Sequence, residues 1–263
     1  MTRQILIGGC LAFLFSTACL HGNDLPVDSL VHQISDRQEE LYLRIDDWKA
    51  RVISRTSWLD RSWNPTRSRI VEKNFRIQEL EQQEEILHAE EWKDSTATDI
   101  TEDMIKAQNR FNFRRKFEDL LFEELSSHGD SLSADEMFPF SKEHRPIYNY
   151  SVAGDTAMDG RSVRIVEFRC QTPDPEYFNG RVYADRENHN IYKAVFWPSD
   201  NPMFVRKLLV EFSFFVHPNG FYGPKRLDII LGAELLFVNL LRRQWVEEYS
   251  EYSVLNAGGN SGR

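Results

Sequence analysis

The chain has 263 residues and a formal charge of −9, with 28% charged and 13% aromatic residues, including 18 Phe. An aromatic content of that size goes to a large core or an apolar ligand surface, which excludes disorder throughout. The acidity disfavours a nucleic-acid partner, because the only basic clusters, "FRRKF" and "LLRRQW", hold two or three cations among many Glu and read as solvated faces.

"MTRQ" carries one Arg, "ILIGGCLAFLF" is an apolar run too short for a comfortable membrane span, and "STAC" brings small residues. Residues 1–22 therefore read as an export signal that sends the protein out of the cytoplasm. Ser16-Thr17-Ala18 before Cys19 admits two processings, ordinary cleavage or lipoprotein processing that would acylate Cys19. "FSTAC" has the small residues of a bacterial lipobox but places Ser16 where Leu is usual, so both stay open. Cys10 lies inside the leader, which leaves Cys170 alone in the folded body and rules out an intramolecular disulfide. At the end of an apolar strand, Cys170 reads as a buried, inert thiol.

After the leader, residues 23–263 read as one domain. From Asp28 to Asp47, Leu30, Ile34, Leu41 and Ile45 recur at helical multiples, with Asp28 or Ser29 as a cap, and predict an amphipathic helix. "WKARVISRTSWL" then changes to period two, with Ala50, Val52, Ser54, Thr56 and Trp58 on one face of a half-buried strand. "IVEKNFRIQELEQQEEILHAEEW" reads as two more strands, with Val71, Phe75 and Ile77 on one side, although its Glu/Gln-rich part also fits a helix. The stretch after Asp94 opens on cap-like residues, lacks Gly and Pro until Gly129 and clusters Phe111, Phe113, Phe117 and Phe122. It predicts a helical insertion over about 94–128. "FPFSKEHRP" is expected to be extended. From Ile147 to Tyr252 seven strand-like segments alternate with polar connections, the pattern of an antiparallel meander.

Catalytic signatures are missing: the sequence has no "HExxH", "GxSxG", "CxxC", P-loop or "GxGxxG" opening a helix. His32, His88, His128, His144, His189 and His217 are isolated. "GDTAMDGR" lacks the alternating oxygen ligands and terminal Glu of a calcium loop and reads as a turn with Gly160 at positive φ. "ADRENHN" gathers Asp185, Glu187 and His189, but between two strands it reads as a hairpin connection rather than an acid/base centre. No enzyme, metal or cofactor is expected. Val182 and Ala184, then Tyr192, Ala194 and Phe196, then Leu208, Val210, Phe212 and Phe214 are same-face sets on successive strands. A filled core and a ligand-accepting cavity both satisfy that alternation.

The run "YNYSVAGDTAMDGRSVRIVEFRC … YFNGRVYADRENHNIYKAVFW", within an exported chain with an N-terminal helix, strands and an inserted helical stretch, resembles the LolA-like outer-membrane lipoprotein-sorting family. "DGRSVRIVEF" resembles its strand after an Asp-Gly-Arg turn, and "FNGRVYADRENHNIYKAVF" its Gly, strand, Asp-turn, strand hairpin. The resemblance covers Tyr148 to Trp197 most closely. It implies an α+β fold: a curved antiparallel β-sheet, or incomplete β-barrel, covered by the N-terminal helix and the inserted helical segment. It further implies a non-catalytic envelope protein of the periplasm or outer membrane, binding lipid or lipoprotein acyl chains on a concave apolar face. Trp58, Phe168, Val182, Phe196, Val210, Phe212 and Phe214 are the candidate ligand-binding residues. The alternative is a membrane-anchored envelope lipoprotein with a filled core that binds other proteins.

Overall fold

Among the described residues strict alternation makes most of the structure strand, and two segments carry a helical period into an α-helix. The computed structural model describes residues 26–43, 47–78, 81–108, 139–202, 204–216, 221–235 and 238–254. The expected export signal over residues 1–22 with Cys19, and residues 109–128 of the expected insertion, lie outside the described residues. Helix α1 spans Val27–Leu43 and is followed by β1 (Trp48–Leu59), β2 (Pro65–Gln78), β3 (Glu81–Lys93) and β4 (Thr96–Asp99). Helix α2 (Thr101–Gln108) and a 3-10 turn (Arg145–Ile147) precede β5 (Tyr148–Met158), β6 (Arg161–Cys170), β7 (Phe178–Asp185) and β8 (Ile191–Pro198). Strands β9 (Val205–Val216), β10 (Tyr222–Leu235) and β11 (Val238–Val254) complete the sheet.

All eleven described strands form one antiparallel sheet in the order β4-β3-β2-β1-β11-β10-β9-β8-β7-β6-β5. Two meanders thus meet at one seam, where β1 pairs with β11 through Ser54↔Glu247, Thr56↔Trp245 and Trp58↔Arg243. The sheet is not closed, since β4 and β5 remain edges, and it is a curved, incomplete barrel with few helices. Register shifts at Lys49/Arg51, Val152/Gly154, Pro224/Arg226 and Ala233/Glu234 insert extra residues and bend the strands.

Several local expectations change. The first helix begins at Val27, so Asp28 lies in its first turn rather than at the cap, and the Leu30 N–H already bonds the Pro26 carbonyl at 3.1 Å. Asp94 does not start a helix: Thr96–Asp99 adds an edge strand first, and the helix opens at Thr101, whose N–H is held by Asp99 Oδ1 at 2.8 Å. The Glu/Gln-rich segment is strand β3. Residues 139–147 are turns and a 3-10 turn, not extended chain. Cys170 is half-buried and its thiol meets the Thr172 carbonyl at 2.8 Å.

The turns behave as their residues demand. Asp159 (φ 50°) and Gly160 (φ 77°) make a two-residue hairpin with both central residues at positive φ, the form an Asp-Gly pair favours. At the β7–β8 connection, buried Asp185 turns Oδ1 to the N–H groups of Glu187 (2.7 Å) and Asn188 (3.1 Å), while Asn188 Oδ1 takes the Asn190 N–H at 2.9 Å. His189 adopts φ 59° there, and burial pushes its imidazole below the usual range.

The main core lies where α1 crosses the β5–β8 half of the sheet. Leu30, Val31 and Ile34 pack with Phe140, Tyr148, Val166, Phe168, Val182, Ala184, Ile191 and Ala194. A register shift between Tyr183 and Ala184 pairs Ala184 with Ile191, so Ile191 rather than Tyr192 enters this cluster. Arg37 Nε reaches Asn190 Oδ1 at 2.7 Å and ties the helix to the β7–β8 turn.

Candidate functional site

Residues paired across an antiparallel sheet put their side chains on the same face, so the registers trace that face strand by strand. One line reads Glu91, Arg69, Thr56, Trp245, Ile229, Val210, Phe196, Gly180, Phe168 and Tyr150. The neighbouring lines carry Arg67, Trp58, Arg243, Leu231 and Leu208 on one side, and Val71, Ser54, Glu247, Leu227, Phe212, Ala194, Val182 and Val166 on the other. All seven candidate ligand residues therefore share one face, the face that α1 covers in part.

They do not share one environment. Phe168 and Val182 have no exposed surface and belong to the core beneath α1. Phe196, Phe212 and Phe214 are only half-buried against that core, and Val210 is half-buried in a separate group with Leu208, Ile229 and Leu231. The rings form a chain: Phe168 to Phe196 is 5.7 Å between centroids, Phe196 to Phe212 6.1 Å, Phe212 to Phe214 6.3 Å and Phe214 to Tyr222 5.2 Å. Gly180 lets this chain begin, because it lies between Phe168 and Phe196 in the register and a Cβ there would collide with the Phe168 ring and the Val195 carbonyl. Tyr222 is half-buried at the other end, where its hydroxyl donates to the Ile191 carbonyl, and desolvation pushes its phenol well above the usual range.

Across the seam the same face is mixed: Trp48, Ala50, Val52 and Phe75 form a second buried apolar cluster, and polar side chains lie beside it. Lys73 is buried, with Nζ between Glu84 (3.1 Å) and Glu247 (3.0 Å), and Glu247 also accepts from the Tyr249 hydroxyl at 2.7 Å. A buried ammonium persists only with such partners. Trp58 lies further along this half, ringed by cations: the guanidinium carbons of Arg67, Arg243 and Arg69 stand 4.6, 5.2 and 5.5 Å from its ring. Arg67, above all, and then Arg69 at 3.2 Å donate to Oε2 of Glu91 and hold its carboxyl below the usual range. The candidate Trp58 thus shares the face but not the apolar surroundings of the others. Alternation in "TRSRIVEKNF" puts Arg67 and Arg69 on the side of Val71 and Phe75, yet nothing local in the sequence brings Arg243 beside them.

Among the described residues no group of three His, Cys, Asp or Glu side chains is placed to hold a metal ion, and no helix is long and apolar enough to cross a membrane. The Asp185, Glu187 and His189 segment is a turn whose carboxylate oxygen Oδ1 is taken by backbone N–H groups.

No family model and no curated protein matches the sequence. Among solved structures, the chain is similar to a protein of the DUF1329 family from Desulfovibrio piger (TM-score 0.36, 10% identity, 90% of this chain and 96% of that one). It is similar also to a protein described as an outer membrane lipoprotein-sorting domain from Vibrio parahaemolyticus (TM-score 0.37, 9% identity, 88% and 95%). A LolA superfamily protein from Nitrosomonas europaea is a third (TM-score 0.34, 13% identity, 89% and 96%).

Proposed function

We propose that this chain is a non-catalytic protein of the bacterial cell envelope that binds lipid acyl chains or another apolar ligand on the inner face of its open sheet, in lipoprotein or lipid trafficking. The observation that carries this reading is the run of half-buried Phe196, Val210, Phe212 and Phe214, continuous with the core under α1 but not sealed by it. Each acyl methylene withdrawn from water there contributes about 0.8 kcal/mol, so the face binds without any catalytic group. Helix α1 is the cover, and its displacement extends the apolar strip toward Phe168 and Val182. Export places the protein in the periplasm or at the outer membrane. Acylation at Cys19 would tether it there, making a stationary acceptor rather than a diffusing carrier.

Native mass spectrometry of protein purified from its own envelope tests the reading. Co-purifying lipid, or uptake of added phospholipid, is the expected result; a clean apo mass that stays unchanged with lipid present rejects it. The complete burial of Phe168 and Val182 favours a second reading, a filled core whose outer faces bind other envelope proteins.

A further inference from the structure

The Trp58 cluster holds more positive charge than its surroundings neutralise. Three guanidinium groups converge on one indole ring, and the carboxylate bonded to them is Glu91, which serves Arg67 and Arg69. Among the described residues no carboxylate lies within ion-pairing distance of Arg243. The Nε atoms of Arg67, Arg69 and Arg243 are all buried without a hydrogen-bond partner. Each guanidinium carries five N–H donors, so a single carboxylate leaves most of them unmatched. Like charges gathered at a partly buried place cost free energy, and burial together with Arg69 and Arg67 pulls Arg243 below the usual arginine range. Buried unpaired N–H donors beside clustered positive charge are groups that a bound oxyanion would satisfy.

We propose that Arg67, Arg69 and Arg243 form a binding site for a phosphate-type oxyanion, carried by the head group of an amphiphile whose tail lies on the apolar strip. Guanidinium forks match the spacing of phosphate oxygens, and the indole holds their planes in place. The register supplies the second half of the ligand. Arg243 pairs with Leu231 and Leu231 with Leu208, so an apolar row begins one strand from the cations; Leu231, Leu208 and Ile229 are buried in it and Val210 is half-buried, and the tail would part their covering side chains to lie along it. At about 4.8 Å per strand, a tail of about a dozen carbons reaches from the arginines to β8 and the Phe196 edge. The oxyanion half stands on the arginine geometry alone; the tail half rests on the acyl-binding reading above.

Calorimetry on the full chain separates the two halves with three probes: dodecyl phosphate, dodecyl maltoside and inorganic phosphate. The expected result is that dodecyl phosphate binds at least about tenfold more tightly than dodecyl maltoside. Arg243→Gln should remove that advantage and leave dodecyl maltoside unchanged. Arg243→Lys, which keeps the charge and loses the fork, should retain part of it. Arginine-dependent binding of inorganic phosphate alone supports the site with a free anion as its source, and if neither amphiphile binds in that case the acyl reading fails while the site stands. Equal binding of the two amphiphiles, unaffected by either Arg243 variant, overturns the oxyanion site and leaves the apolar face intact. Failure of every probe overturns both.

Discussion

Ile34→Ala tests whether α1 is a cover or part of a sealed core. Ile34 is fully buried between Leu30 and Val31 on the helix and the β6–β8 side chains of the sheet. Truncating a buried Ile to Ala costs about 2–5 kcal/mol through lost transfer energy and the cavity left behind. The polar ties that remain are modest: Arg37 to Asn190, and the exposed Lys142–Glu39 pair, which contributes less than about 1 kcal/mol. If the helix releases on its own, the whole cost falls on its docking equilibrium and raises the undocked population at least about thirtyfold. Hydrogen exchange then quickens over residues 27–43 while β6, β7 and β8 keep their protection, and dodecyl maltoside binds more tightly because the strip near Phe168 opens. Uniformly faster exchange in helix and sheet, with a lowered urea midpoint and no gain in binding, refutes a movable cover.

Gly180→Ala should destabilise the sheet by about 1–3 kcal/mol in urea melts, since the new Cβ meets the Phe168 ring and a backbone carbonyl that cannot move aside. Asp185→Ala should cost about 1–2 kcal/mol by removing the acceptor for two turn N–H groups, without changing ligand affinity once the folded fraction is matched; loss of binding at full folding would revive a chemical role for this turn. Asp155→Asn should weaken the fold by about 1 kcal/mol, because Arg164 is buried and grips both carboxylate oxygens at 2.8 and 3.1 Å. The carboxyl of Asp155 is held below its ordinary 3.8, chiefly by that bond, so its contribution is complete above about pH 3.8 and lost as the pH falls through the lowered value. Wild type and Asp155→Asn should therefore converge in stability only in strong acid.

Within a single strand the sequence is transparent. Trp48–Leu59 is the segment that alternation marks, and the Asp159-Gly160 and Asp185–Asn190 connections fold as their residues require. Its failures have local causes. Asp94 followed by Ser, Thr and Ala imitates a helix cap, but Thr96–Asp99 pairs with Glu90–Lys93 and delays the helix to Thr101. Tyr192 occupies an in-phase position by counting, and one extra residue at the Tyr183/Ala184 bulge moves Ile191 into the cluster instead. A bulge has no composition of its own when the residues around it are good strand formers.

Neighbourhood across strands is harder to read than alternation along them. Strands β1 to β4 and β5 to β11 each follow from short connections, but the pairing that joins them brings Trp58 beside Arg243, from opposite ends of the chain. "LLRRQW" read alone is a basic patch among glutamates. In the sheet its two arginines separate: Arg242 pairs with Glu234 at 2.6 Å on one face, while Arg243 turns to the other and meets Arg67 and Arg69. Charge that looks dispersed along the sequence is therefore concentrated by one non-local contact. The seam that makes two meanders into a single sheet also sets a cationic end against an apolar strip, and an amphiphile is the ligand class that matches both.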